Sequence, residues 1–179
     1  AVATVTVIDT IIRVFTCPTD IVVSAKPGFC SADAPIAFTP PIDNCGNPMI
    51  SFTAPGAMLG PVGSNFALGT YPVGTTVVTA TVDDGNGHTI TCSFSVTVND
   101  TTAPNVLTQN LTVFLDANGN ATITEQDIDN GSSDACGIAT TTLSQTSFIC
   151  SEIGANTLIL MVTDNNGNTN AANATVTVI

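Results

Sequence analysis

The chain has 179 residues, with 2 Lys+Arg against 14 Asp+Glu, a formal net charge of -12, and only 9% charged residues beside 44% hydrophobic ones. Arg13 and Lys26 cannot build the basic patch that displaces counterions from phosphates, so nucleic acid is excluded as a partner, and anionic lipid surfaces are disfavoured for the same reason. No run approaches the roughly 18 to 20 apolar residues of a membrane span, so membrane insertion is not expected. The length suits two domains of about 100 residues each. With no initiator Met and no signal peptide, the chain reads as a processed product or an excerpt.

The opening strand is the key to the organisation. Ala1 to Ile8 (AVATVTVI) returns as Ala172 to Ile179 (ANATVTVI) with seven identities in eight, and a third copy, SFSVTVN, spans Ser93 to Asn99. Alternation with period two places Ala3, Val5 and Val7, then Phe94, Val96 and Val98, then Ala174, Val176 and Val178 on one face, which is the pattern of a half-buried strand. The copies at 1–8 and 93–99 each run into an Asp-Thr pair, so the repeating unit closes with this strand. Residues 1–9 are then the last strand of a preceding repeat, or a donor strand, followed by domains at 10–100 and 101–179. Along the first domain, strands are predicted at DIVVSA (turn KPG), PIAFTP, PMISFTAP and TTVVTATV, with the hairpin DDGNGH before the closing strand. Along the second they fall at LTVFL (turn DANG), NATITE, IATTTLSQ and TLILMV, with the hairpin TDNNGN. Asn-Gly between alternating runs is a strong hairpin signal, and no stretch has a helical period. The fold class expected is all-β: tandem immunoglobulin-like β-sandwich domains.

The first domain, with FTCPTDIVV, PPIDNCG and GTYPVGTTVVTATVDDGNGHTITCSFSVTVND, resembles a hyalin repeat (HYR), an extracellular immunoglobulin-like module. The second, LTVFLDANGNATITEQDIDNGSSDACGI followed by LILMVTDNNGN, is similar to tandem repeats of very large cell-surface proteins of the Bacteroidetes, gliding-motility adhesins among them. It lacks the cysteines of the C-P and T-C-S-F segments. The resemblance implies an adhesive or stalk module rather than a catalyst.

Six cysteines without a C-x-x-C pair, beside one His, point to disulfides and an oxidising compartment. Aligning the domains on their closing strands puts Ala172 opposite Cys92, and Leu107 or Thr108 opposite Cys17. The second domain lacks both cysteines together, and the first and last strands of such a sandwich can pair in parallel, so Cys17 is paired with Cys92. The remaining pairings expected are Cys30 with Cys45 and, by elimination, Cys136 with Cys150.

The acids are placed in register. Asp9, Asp43 and Asp84 correspond to Asp100, Asp134 and Asp164, and the spacing from Asp9 to Asp43 equals that from Asp100 to Asp134, 34 residues. All three positions fall where a unit would meet its predecessor. Carboxylates clustered without a basic partner repel unless a cation lies among them, and calcium fits, although Asp also starts hairpin turns with no metal. A second calcium candidate is Asp116, Asn118, Asn120, Thr122, Thr124 and Asp127, whose offsets are those of an EF-hand loop. Gly119 stands at position 4 instead of 6 and the last ligand is Asp, so a DANG hairpin followed by a Thr-rich strand explains the segment equally well. The triplets beginning Asp9-Thr10 and Asp100-Thr101 resemble the O-glycosylation signal of Bacteroidetes secreted proteins, which implies glycans on Thr10 and Thr101.

His88, the sole histidine, lies in the DDGNGH hairpin and reads as a turn residue, and no nucleophile constellation or phosphate cradle is present, so no enzyme is expected. The sequence describes a secreted, extracellular segment of a tandem-repeat filament on a bacterial surface, serving adhesion or gliding. Its partners would be adjacent repeats of the same chain or neighbouring filament subunits, with surface polysaccharide, host or substratum beyond. The competing reading is a self-assembling fibre subunit that donates residues 1–8 to a neighbouring chain.

Overall fold

The structure, a computed structural model, describes residues 2–9, 15–43, 45, 47–63 and 65–179. The chain divides into two compact units: one comprises residues up to Lys26 together with Ser31–Asn99, the other Pro27–Cys30 with Asp100–Ile179. Each is an immunoglobulin-like β-sandwich.

The first unit has seven strands among its described residues: β1 (Ile21–Ser24), β2 (Ser31–Ala37), β3 (Met49–Thr53), β4 (Met58–Val62), β5 (Phe66–Pro72), β6 (Gly74–Asp83) and β7 (Thr89–Asn99). They form two sheets, ordered β1-β7-β6-β3 and β2-β5-β4. Because side chains alternate across a strand, the Val/Thr periodicity of β6 and β7 sends Val78, Ala80, Phe94, Val96 and Val98 inward. There they meet Ala34 and Ile36 of β2 and Tyr71 of β5. The opposite face of β6 and β7 is mostly Thr and Ser, with Val77 exposed among them, and is cross-linked by hydroxyl pairs Thr75–Thr97 at 3.2 Å and Thr79–Ser93 at 3.1 Å. Such pairs stabilise a sheet face without charge. Strand β7 runs antiparallel to β6, from Gly74↔Val98 to Asp83↔Thr89, and parallel to β1, from Ile21↔Val96 to Ser24↔Asn99.

The closing strands at 93–99 and 172–178, both hairpins and most other strands stand where the sequence placed them, whereas residues 2–8 are in no strand. Three strands had no prior sign: β4 (MLGPV) and β5 (FALGTYP), because Gly and Pro interrupt their alternation, and Ser147–Ile149 (SFI) in the second unit, because three residues are too few to show one. The glycine at position 69 has a packing reason. A Cβ there would lie 2.6 Å from the Tyr71 hydroxyl and 2.7 Å from its ring carbons.

In the second unit the elements are β8 (Leu111–Val113), β9 (Asn120–Thr122), α1 (Glu125–Ile128), β10 (Ile138–Leu143), β11 (Ser147–Ile149), β12 (Gly154–Asp164) and β13 (Thr169–Val178). The sheets are β10-β12-β13-β8 and β11-β9. Strand β13 repeats the placement of β7, antiparallel to β12 and parallel to β8, with Val176 opposite Leu111 where Val96 is opposite Ile21. Leu158, Leu160 and Val162 of β12 face Phe148 of β11 and Ile128 of α1 in the core. The single helical turn was not expected, since four residues are too few to show a period. It is fixed by Asp127, whose Oδ2 accepts from the Thr124 backbone N–H at 2.7 Å and from the Thr124 hydroxyl at 2.8 Å, and by full burial of Ile128.

Two substitutions test this packing. Gly69→Ala is expected to lower unfolding free energy by about 1–3 kcal/mol, because the added methyl meets a ring that has nowhere to move. Tyr71 is fully buried and its hydroxyl has no hydrogen-bond partner, so Tyr71→Phe is expected to raise stability by about 1 kcal/mol. Urea unfolding of both variants measures the two signs.

Candidate functional site

The disulfide Cys17–Cys92 joins the segment before β1 to β7, with Cα atoms 5.9 Å apart. The other two expected pairings are corrected. Cys30 bonds to Cys136, with Cα atoms 4.8 Å apart, and so neither Cys30–Cys45 nor Cys136–Cys150 forms. The physical reason lies in the turn between β1 and β2. Its residues Pro27–Cys30 pack with the second unit, which brings Cys30 beside the Asp134–Gly137 turn. Cys150 is exposed, with its Sγ 3.7 Å from the Gly119 carbonyl oxygen, and Cys45 is exposed in the DNCG loop.

The acid groups are built by hairpins. In the first unit Asp84 sits at the head of the β6–β7 hairpin and is 9% exposed. Its Oδ1 accepts from the backbone N–H of Asn86 at 2.7 Å and of His88 at 3.0 Å, while Oδ2 lies 2.7 Å from His88 Nδ1. The Asn86 side chain donates to Asp9 Oδ2 at 3.3 Å, and Asp43 Oδ1 accepts from the Cys45 N–H at 3.3 Å. The result is a convergence of Asp9, Asp43 and Asp84, with one carboxylate oxygen of each within 4.8 Å of the others. Apolar walls of Pro41, Ile42, Pro48 and Val82 border Asp43 and Asp84. Low-polarity surroundings of this kind strengthen any electrostatic interaction inside them. Lys26, the only Lys or Arg among the described residues, is taken by Asp33 at 2.5 Å on β2.

The second unit repeats the hairpin and alters the cluster. Asp164 Oδ1 accepts from the N–H groups of Asn166 and Asn168, both at 2.8 Å, and Oδ2 accepts from the Asn168 side chain at 2.8 Å. Asn168 therefore stands where His88 stands. Asp100 and Asp134 converge within 4.8 Å, but the third member is Cys136, not Asp164. The Cys136 sulfur is consumed by its disulfide, so the donors left there are oxygens. Asp100 Oδ1 accepts from the Thr102 N–H at 3.0 Å, and its Oδ2 is buried without a hydrogen-bond partner. Asp164 is locked by its own turn as Asp84 is, and differs from it in lying outside the acid cluster.

The EF-hand-like spacing dissolves into two local structures. Asp116 Oδ1 accepts from the N–H groups of Asn118 at 2.8 Å and Asn120 at 2.9 Å, closing the turn before β9. Gly119 takes a left-handed φ of +76° in that turn, and Asp127 caps α1. Asn118, Asn120, Thr122 and Thr124 thus belong to a hairpin and a helix cap. Thr101 is exposed, and Thr10 lies outside the described residues. His88 has a role the sequence reading missed, as the ring partner of Asp84; the Asp-to-His spacing of four in DGNGH was the available signal.

No family model and no curated protein sequence matches the chain. Among solved structures, human mucin-like protocadherin EC1-2 aligns with 90% of this chain and 96% of its own at 16% identity and a TM-score of 0.49. Human protocadherin-24 EC1-2 aligns with 95% and 99% at 11% identity and 0.45. An endo-fucoidan hydrolase of glycoside hydrolase family 107 aligns with 93% of this chain at 17% identity and 0.41, and the chain spans 28% of that enzyme's length. Structures matched in this way include cadherin-type and immunoglobulin-like sandwich domains.

The hairpin locks carry a pH dependence. Burial pushes Asp84 up, but hydrogen bonds from the Asn86 and His88 N–H groups and from the His88 ring outweigh it and hold the carboxyl below the usual range. Burial likewise pushes Asp164 up, and the Asn168 side chain with the Asn168, Asn166 and Gly167 N–H groups brings it below. A depressed native pKa adds stability that is complete above the unfolded value, about 3.9, and is lost as pH falls through the native one. Stability measured by denaturant unfolding is expected to fall as the pH drops below about 4, and less steeply in Asp84→Asn and Asp164→Asn, which begin less stable at neutral pH. Non-reducing peptide mapping is expected to recover Cys17 linked to Cys92 and Cys30 linked to Cys136.

Proposed function

We propose that the chain is a non-enzymatic, extracellular segment of a long tandem-repeat filament at a cell surface, serving adhesion, and that calcium binds at the start of each unit. The HYR-like and gliding-adhesin-like motifs favour a bacterial filament, and the disulfides suit an oxidising exterior. One observation carries the reading: two sandwiches of the same build place aspartates in the same convergent position, Asp9, Asp43 and Asp84 in one, Asp100 and Asp134 in the other.

Chemistry supports calcium at those positions. The donors are hard oxygens, which suit calcium's demand for six to eight oxygen ligands, filled out by backbone carbonyls and water. The buried, unpartnered Asp100 Oδ2 is an oxygen that a cation would satisfy. A bound ion would add order to the loops that carry the acids, while the exposed Thr and Ser faces would remain available for contact with surfaces or polysaccharide. Glycans on Thr10 and Thr101, at the Asp-Thr pairs, would complete such an exterior.

Thermal unfolding in calcium and in chelator tests the reading. Extracellular modules bind calcium with Kd of roughly 10⁻⁴ to 10⁻³ M. At 10 mM calcium this corresponds to about 1.4–2.7 kcal/mol of added stability per site. The gain is expected to be halved by Asp43→Asn and abolished when Asp134→Asn is added. An unchanged melting profile in the wild-type chain would overturn calcium binding.

A further inference from the structure

Residues 2–8 present a row of apolar side chains to solvent: Val2 is 97% exposed, Val5 83%, Val7 89% and Ile8 73%. They pair with no strand. Yet Ala174, Val176 and Val178, the same residues in the same order within β13, are 3%, 0% and 1% exposed. The sequence that closes the second sandwich stands a second time with its core face uncovered.

We propose that residues 3–7 are the closing strand of a third sandwich unit of the same build, one whose main sheet lacks that strand. The inference deepens the tandem-filament reading and rests on it. The strand enters between the penultimate and first strands of that unit, antiparallel to one and parallel to the other, as β13 lies between β12 and β8. Ala3, Val5 and Val7 take the core positions of Ala174, Val176 and Val178, and Thr4 and Thr6 the outward positions of Thr175 and Thr177. The partner's chemistry is specified further by a contact both units share. The residue just before the first strand accepts a closing-strand N–H: Asp20 from Ser95 at 2.7 Å, and Asn110 from Thr175 at 2.8 Å. The third unit therefore carries Asp or Asn at that place to receive the Thr4 N–H.

A second copy of this chain does not offer the slot, because β7 and β13 already fill it in both units. The strand also leads directly into Asp9, which meets Asp43 and Asp84, just as β7 leads into Asp100, which meets Asp134. Seating residues 3–7 thus fixes the approach of the first acid to its cluster.

Removing residues 169–179 from the chain creates the required vacancy in its own second unit. In chelator, so that calcium plays no part, this variant is expected to form concentration-dependent oligomers in light scattering, with residues 2–8 of one copy completing another. The full chain is expected to stay monomeric. Adding Val5→Asp and Val7→Asp to the truncated chain is expected to abolish the oligomers. A monomeric truncated chain, or oligomers indifferent to those substitutions, would overturn the proposal, and oligomers of the full chain lost on the same substitutions would assign the strand to a second copy instead. Asn173→Val in the full chain guards against a truncated form that fails to fold, because it makes residues 172–179 identical to 1–8. Its melting temperature is expected to stay within about 4 °C of wild type, and a fall beyond about 8 °C would show that this sequence cannot close the sandwich.

Discussion

Each sandwich depends on the strand that reaches it last. Strands β7 and β13 lie inside their sheets, so both of their backbone edges are paired, and each also supplies three consecutive inward residues to the core. Until that strand arrives, the penultimate and first strands expose backbone groups that would otherwise need water, together with the apolar faces that β7 and β13 cover. Most of the contact in a unit is therefore between residues far apart in sequence. The chain has few charges with which to solubilise an unfinished sheet, and Thr and Ser hydroxyls on the outer faces do that work.

Much of this was legible, for physical reasons that can be named. The closing strands could be read because a strand with one buried face must alternate, and Val-Thr-Val does so without interruption. The hairpins could be read because Asp-x-Asn-Gly supplies both an acceptor for the turn N–H groups and a residue tolerant of left-handed backbone. Convergence of Asp9, Asp43 and Asp84 followed from an internal comparison, since equal spacing in two copies of one fold puts residues in equal places.

What stayed hidden was non-local or short. Strands β4 and β5 carry Gly60, Pro61 and Gly69, which break alternation, Gly69 to leave room for the Tyr71 ring. Asp164 looked equivalent to Asp84 and is so as a hairpin lock, but membership of an acid cluster depends on a few ångströms of loop position that no spacing encodes. Cys30 was assigned within its own sandwich because the turn Pro27–Cys30 bears no local mark of belonging elsewhere.

The Cys17–Cys92 bond and the parallel pairing of first and last strands have a mechanical consequence. Pulling on the two ends of a unit loads the β1–β7 or β8–β13 ladder in shear, so its hydrogen bonds must break together rather than one at a time. In the first unit the disulfide ties the segment leading into β1 to β7 and removes the 75-residue separation between its cysteines from the extensible length, about 250 Å of contour. The second unit has no such bridge between its first and last strands. The Cys30–Cys136 bond adds a further covalent shortcut: tension applied at the two ends of the chain crosses it from residue 30 to residue 136, and residues 31–135 are spared extension for as long as the bond is oxidised.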